Sequence, residues 1–332
     1  MFGVGVLVGA TLSSQLGHHY GRRLCLMLLA LSDLASWALM ASSTTTGMML
    51  ASRLLAGCAS GGYLLCVQVF VGEISSLDQR AWLLALSAPL TALGVLTMKV
   101  SASLLSWHWA AATCSTFPAL LLLSLTFYRD TPAWLGRSSS PLLAREALSQ
   151  YRGLASHSLE LELELANILQ QQTQHCGLNT GRILRKIFSE KKYFKPFLIL
   201  NSLNMLVVLC GRFAMEDYIV EVFIHFGSNL TEEVAGIISA LLAVLGSLVL
   251  LPLVRWLARK SLLCLTAAVM GVSLFLLGFC SYSHHHDIEL IKHCDWLPIS
   301  CAVSYILATN MGLSALPNIF ITEFYPSHVS DK

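Results

Sequence analysis

Nine stretches of this chain are apolar enough to read as helices crossing a bilayer, separated by polar joints of which all but one are short. They run roughly from Met1 to Leu16, Leu24 to Ala41, Met48 to Val71, Ala81 to Leu105, Trp107 to Phe127, Phe197 to Val220, Val234 to Val254, Leu262 to Cys280 and Leu297 to Phe320. A spanning helix needs about 20 apolar residues, which all but the first approach or exceed. Their near-continuous hydrophobicity predicts helices with lipid on one side and protein on the other.

The joints give the orientation. Positive residues are retained on the cytoplasmic face of a membrane protein. One alternating set of joints holds Arg22, Arg23, Arg80, a cluster from Arg129 to Lys195, then Arg255, Arg259, Lys260 and Lys332, seventeen cations in all. The opposite set, "SSTTTG", "SWHW", "HFGSNLTEEV" and "SYSHHHDIELIKHCDW", holds only Lys292. The alternation persists through all nine stretches, which supports both the count and the assignment of sides.

The longest polar insert, residues 128–195, divides the chain into an amino-terminal membrane half, 1–127, and a carboxyl-terminal half, 196–332. Its cations place it in the cytosol. Within it "SLELELELANILQQQTQ" alternates Leu and Glu, a strand-like period, but Leu, Glu, Ala and Gln are strong helix formers, so a short surface helix is expected. The basic run "RILRKIFSEKKYFK" then reads as an anchor at the membrane surface.

Composition agrees. The 332 residues are 55% hydrophobic and 12% charged, with mean hydropathy +0.66, which points to an all-α integral membrane protein. A formal net charge of +2 offers no basic stripe for nucleic acid. The ten cysteines fall singly, never as CxxC, and read as small buried hydrophobes rather than metal ligands or a disulfide framework. No phosphate-binding loop, GxSxG or HExxH is present, so neither an enzyme nor a cofactor is expected. The amino terminus lacks the basic segment that opens a secretory signal.

Short motifs lie at the inner ends of the helices. "GHHYGRR" joins the first two stretches and "VRWLARK" the seventh and eighth. A glycine turn followed by paired cations brings donors to the exposed carbonyls at helix ends, a way to latch neighbours. Together with "SRLLAG", "GEISSLDQRAWL", "RDTPAWL", "REALSQYRG" and "WLPISCAVSYILATNMGLSALPNIFITEFYP", these make the chain resemble the sugar porters of the major facilitator superfamily, in particular the insect facilitated trehalose transporters and the facilitative glucose transporters. The resemblance implies a major facilitator-type helical bundle, with the nine stretches matching family helices two to ten and the first and last two family helices absent from this sequence. It also implies a multi-pass protein, of the plasma membrane by family expectation.

The same resemblance assigns a cytosolic gate to Arg22, Arg23, Arg53, Glu73, Arg80, Asp130, Arg259, Lys260 and Glu323. Three positions depart from the family pattern. His18 and Arg255 stand where acids are expected, and Ala133 where an arginine is expected. The sugar site departs further: Val207 and Val208 replace glutamines, Phe213 an asparagine, Ala88 a glutamine and Asn318 a tryptophan. A polyol facing such groups loses water without regaining hydrogen bonds, at about 1–3 kcal/mol for each group left unsatisfied.

Charges take their place. Arg212, Glu216, Asp217 and Glu221 lie within ten residues of one apolar stretch. Ionisable groups at membrane depth pair with one another or serve function, and Arg212 and Glu216 are spaced to pair on one helix face. With Lys99 at comparable depth, Arg212, Phe213, Glu216, Asp217 and Asn318 are the candidates for solute binding. The solute is a sugar or sugar-like molecule by resemblance, or a charged one by these residues. The alternative is a self-paired helix in a protein that senses without transporting. "NLT" makes Asn229 a glycosylation candidate on the outer side, and "HHHD" with His293 and Cys294 reads as a solvated loop rather than a metal site.

Overall fold

The structure, a computed structural model, describes residues 1–138, 141–153, 158–175, 191–225, 231–285, 296–314 and 316–317. The described residues are helical and carry no strand. Two compact units emerge from the contacts: unit 1 comprises Met1–Arg80 and Leu104–Thr180, and unit 2 comprises Ala81–Ser103 and Gly181–Lys332.

Unit 1 contains α1 (Phe2–His19), α2 (Arg22–Ala41) and α3 (Thr46–Ile74). The closest packing in it follows from small residues. Gly5, Gly9, Ser13 and Gly17 recur every fourth position and are the buried residues of α1. A side chain at Gly9 would overlap the Cys58 carbonyl, and one at Gly61 the Val6 carbonyl, so α1 and α3 meet backbone to backbone. Small residues at i,i+4 spacing are how membrane helices achieve such approach. On the other face of α3, the buried Cys25, Leu26, Leu29, Cys66 and Leu125 form a core between α2 and the following helices.

Prolines explain the breaks. The stretch expected as one helix from Ala81 to Leu105 is α4 (Leu77–Ala85) followed by α5 (Ser87–Leu104), interrupted just ahead of Pro89. The next is α6 (Trp107–Cys114) and α7 (Thr116–Phe127), interrupted ahead of Pro118. Proline supplies no amide to the preceding turn and disfavours a helical residue before it.

The polar insert builds α8 (Pro132–Ser138), α9 (Pro141–Arg152) and α10 (Leu159–His175). The Leu–Glu alternation is a helix, as composition predicts. Leu161 and Leu165, one turn apart, are buried against Ala144 and Leu148, while Leu159 and Leu163 stay 76% and 59% exposed. Helix geometry therefore uses only every second leucine of the alternation.

Unit 2 adds α11 (Lys191–Leu209), α12 (Arg212–His225), α13 (Glu232–Trp256), α14 (Arg259–His285) and α15 (Trp296–Ala308) to α5. The sixth apolar stretch, expected as one helix, is broken between α11 and α12 at Gly211, whose φ is +76°. α15 runs into a π-helical turn, Thr309–Leu313, closed by the Ser314 amide donating to the Thr309 carbonyl at 3.1 Å. Gly312 in that turn sits against the Thr266 hydroxyl of α14, where a side chain would collide.

Eight helical spans among the described residues, with the broken α4–α5, α6–α7 and α11–α12 runs counted as one each, are long and apolar enough to cross a membrane. α1, the expected ninth, is an 18-residue helix whose hydropathy is diluted by the glycines, serines and histidines that serve its packing and its turn.

Candidate functional site

Charged residues gather in two places. The first, in unit 1, begins at Gly21. Its φ of +99° opens α2, and a side chain there would overlap the Asp130 carboxylate. Asp130 Oδ1 accepts from the backbone amides of Arg22 and Arg23 at 3.0 and 3.3 Å and from that of Thr131 at 2.8 Å. A carboxylate here satisfies orphan amides and complements the positive end of the helix.

The two arginines then diverge. Arg22 donates from Nε and Nη2 to Glu73 Oε1 at 3.2 and 2.9 Å and from Nη1 to the Gly17 carbonyl. Glu73 Oε2 accepts from the Thr131 hydroxyl at 2.5 Å. Arg23 donates to the carbonyls of Leu125 and Thr126 at 2.8 and 3.2 Å, at the end of α7. Four helix ends and the α7–α8 joint thus meet through one network. Arg22 and Glu73 are only 18% and 20% exposed at their side chains, so the pair is shielded from water.

The insert ties onto this cluster. Arg152 forks onto Glu164, with Nη2 2.6 Å from Oε1, and donates from Nη1 to the Ile74 carbonyl at 3.1 Å. Arg80 donates to the Gly72 carbonyl at 2.5 Å, and burial followed by the Arg152 charge lowers its pKa. Tyr151 donates to the Arg129 carbonyl at 2.6 Å, with burial and then the Asp130 charge pushing its hydroxyl up to about 12. His18, where an acid is expected by resemblance, meets a cation: its Nδ1 lies 3.3 Å from Arg137 Nη2. Partial burial, then Arg137, His19 and Arg22, lower its pKa below 6.5. The neutral imidazole accepts from Arg137.

Arg53 is not part of this cluster. It lies twenty residues before Glu73 on the continuous α3, about 30 Å away at 1.5 Å per residue, and its side chain is exposed. A match to the motif fixed its register, but not its depth. Arg259 and Lys260 open α14 in unit 2. Glu323, Asn318 and Asn229 lie outside the described residues, as do the side chains of Arg255, Phe213 and Asp217.

The second gathering is in unit 2. Arg212 starts α12, so its cation sits at the positive end of a helix, an unfavourable place. Glu216 one turn on offsets this, accepting from Arg212 Nε at 3.0 Å. Lys99 Nζ donates to the Ser239 hydroxyl at 3.0 Å. Val207 packs with Met270, Tyr305 and Leu313, and Ala88 against the core of Ala85, Leu250, Val254, Leu262 and Leu316. Where amides are expected by resemblance, these positions are lined with hydrocarbon.

Thr131, Ser239, Tyr305, Arg137 and Arg152 were not singled out by sequence reasoning. Only Thr131 carried a local signal. Threonine before proline is a helix N-cap with proline at the first helical position, and Thr131 Oγ1 accepts from the Trp134 amide at 3.4 Å.

Comparisons with known proteins agree with this architecture. Facilitated trehalose transporter Tret1 of Bombyx mori is 26% identical over 326 residues, 98% of this chain and 63% of its own length. A Tret1-2 homolog of Drosophila sechellia is 27% identical over 326 residues, covering 98% and 66%. The chain therefore spans less than two thirds of the length of these relatives. Among solved structures, the proton:xylose symporter XylE bound to 6-bromo-6-deoxy-D-glucose superposes with a TM-score of 0.78 at 17% identity, covering 98% of this chain and 71% of that one. A partially occluded inward-open form of the E. coli xylose transporter XylE gives 0.73 at 15% identity, covering 98% and 78%. They establish a shared major facilitator fold. Finally, the family model described as "Sugar (and other) transporter" matches residues 1–332, and on that match, with the helices, inner-end motifs and shared fold above, this multi-pass membrane protein belongs to the sugar transporter family.

Proposed function

We propose that this protein acts in secondary transport of a small solute, a sugar or sugar-like molecule, by alternating access. One observation in unit 2 carries the reading: α11 and α12 are interrupted at Gly211, and α15 is interrupted by the π turn at Thr309–Leu313. Transporters bind at such breaks, because irregular backbone at membrane depth is tolerated where it lines a cavity, and π turns concentrate at functional sites. The family and the names of the relatives support sugars, trehalose included, as the solutes to test, and the plasma membrane as the place to look.

In this reading Arg22, Arg23, Glu73, Arg80 and Asp130 hold the inner helix ends of one state together. Arg259, Lys260 and Glu323 belong to the corresponding inner end of the carboxyl-terminal half. An intact network favours the state closed to the cytosol, and its release accompanies opening. Arg53 has no place in that gate.

Uptake of labelled trehalose and glucose into proteoliposomes tests the proposal. Saturable flux above that of empty liposomes, reduced by Arg22→Ala, is expected. Flux that is unsaturable and no greater than background for every solute would remove the transport reading and leave a non-transporting membrane protein. Imaging of a tagged protein checks the location.

A further inference from the structure

The two arginines that open α2 end differently. Arg22 reaches a carboxylate, that of Glu73. The Arg23 guanidinium reaches the Leu125 and Thr126 carbonyls and, among the described residues, makes no salt bridge. A guanidinium carries five N–H donors in a planar fork, so donors remain once these two carbonyls are served. The carboxylates nearby are already engaged: Glu73 by Arg22 and Thr131, Asp130 by three backbone amides and Glu146 by Arg129.

The surroundings place those donors at a membrane surface. Arg23 and Phe127 lie at the same end of two spans, Arg22–Ala41 and Trp107–Phe127. Beside Arg23 a stripe of leucines, Leu24, Leu28 and Leu31, runs exposed along α2 at helical spacing, while Leu26 and Leu29 of the same helix pack in the core with Leu125. Leucines left exposed within a span face hydrocarbon. At the end of α7, Phe127 and Tyr128 are exposed, and Tyr128 stacks on Tyr151 of α9, with ring centroids 6.4 Å apart and planes 9° from parallel. Gln150 of α9 donates to the Phe127 carbonyl at 3.4 Å. Aromatic rings at this depth sit among lipid headgroups. A cation and a phenol thus stand where an apolar stripe meets water.

We propose that Arg23 binds the headgroup of an anionic phospholipid, its guanidinium pairing with the phosphate, the Tyr128 hydroxyl donating to it, and an acyl chain lying along Leu24, Leu28 and Leu31. Guanidinium forks match phosphate oxygens. The engaged carboxylates decide the charge of the headgroup. Choline and ethanolamine headgroups bring a cation of their own, and Glu73, Asp130 and Glu146 already have partners, whereas a glycerol headgroup brings none. Such a site needs the chain to span a bilayer and is independent of what the chain transports.

The full chain in detergent, supplied with phosphatidylglycerol, phosphatidylcholine or water-soluble glycerol 3-phosphate, tests the site through its melting temperature and the lipids it retains in native mass spectrometry. Phosphatidylglycerol is expected to stabilise the protein and stay bound at a lower mole fraction than phosphatidylcholine, and glycerol 3-phosphate to do neither. Arg23→Gln should reduce the preference for phosphatidylglycerol about fivefold, and Arg23→Lys, which keeps the charge, about twofold. Arg23→Gln also uncaps α7, so each variant is scored by the ratio of the two lipids. Tyr128→Phe leaves that cap intact, should reduce the preference about threefold, and decides the matter if Arg23→Gln does not fold. Lys195→Gln, which removes an exposed cation of α11, should change nothing. No preference for phosphatidylglycerol, or a preference untouched by Arg23→Gln and Tyr128→Phe, overturns the site. An equal loss in Lys195→Gln also overturns it, by showing a general pull of surface charge. Displacement of the lipid by glycerol 3-phosphate at equal concentration overturns the lipid as occupant.

Discussion

The Arg22 cluster of unit 1 and the charged set of unit 2 use the same residue types to opposite ends. Around Arg22, Arg23, Asp130 and Glu73, the donors and acceptors meet one another at 2.5–3.3 Å across helix ends far apart in sequence. Around Lys99, an ammonium donates to one neutral hydroxyl, that of Ser239, and makes no salt bridge with a described residue. A saturated network resists change. The Lys99 ammonium keeps donors to spare, so the contrast separates a cluster closed on itself from one that is not.

The comparison is most directly broken by removing one member of the saturated network. Glu73→Ala leaves the shielded Arg22 guanidinium and the Thr131 hydroxyl without their acceptor, and should lower stability by about 3 kcal/mol. Thermal unfolding of the purified protein reads this, and an unchanged midpoint would show that the inner cluster holds nothing. Arg212→Gln should cost less, about 1 kcal/mol, because Glu216 is 45% exposed and can turn to water. The double variant Arg212→Gln with Glu216→Gln should recover most of that loss, since the pair is replaced rather than split. Failure of the double variant to recover would mean that each residue has partners of its own.

Smaller effects sharpen the picture at His18. Its folded pKa lies below the unfolded value of 6.5, so its neutral contact with Arg137 contributes stability above pH 6.5 and loses it as pH falls through the folded value. Wild-type protein should therefore lose more stability than His18→Gln between pH 7 and pH 5, read as the difference of two melting curves. His18→Asp should restore a carboxylate beside Arg137, at an exposed site, and add no more than about 0.5 kcal/mol.

Much of this was legible because it is local or periodic. Apolar length marks the helices. Glycine followed by two arginines foretold cations at helix ends, and Arg23 on the Leu125 and Thr126 carbonyls is that arrangement. Composition decided α10 against its own alternation. What was missed depends on other elements. No pattern along α13 tells that Ser239 meets Lys99, which is 140 residues earlier. The break at Gly211 left only "CG" inside an apolar run, and hydropathy windows average over such a pair. Arg53 shows a related limit: motif matching is blind to depth, while counting the helical rise along α3 exposes the separation.

The glycine face of α1 has a consequence for how the chain enters the membrane. A segment made of small residues gains little by partitioning into lipid alone, and its value lies in the carbonyl backbone of α3 that it fits. During synthesis α1 is made before α3, when the surface it needs does not yet exist. It is therefore expected to commit to the bilayer only when α3 emerges, so that insertion of this helix depends on one that follows it. Placing α1 alone, and then α1 to α3 together, ahead of a glycosylation reporter would show this as poor insertion in the first case and efficient insertion in the second. A bulky residue at Gly9 should erase the difference.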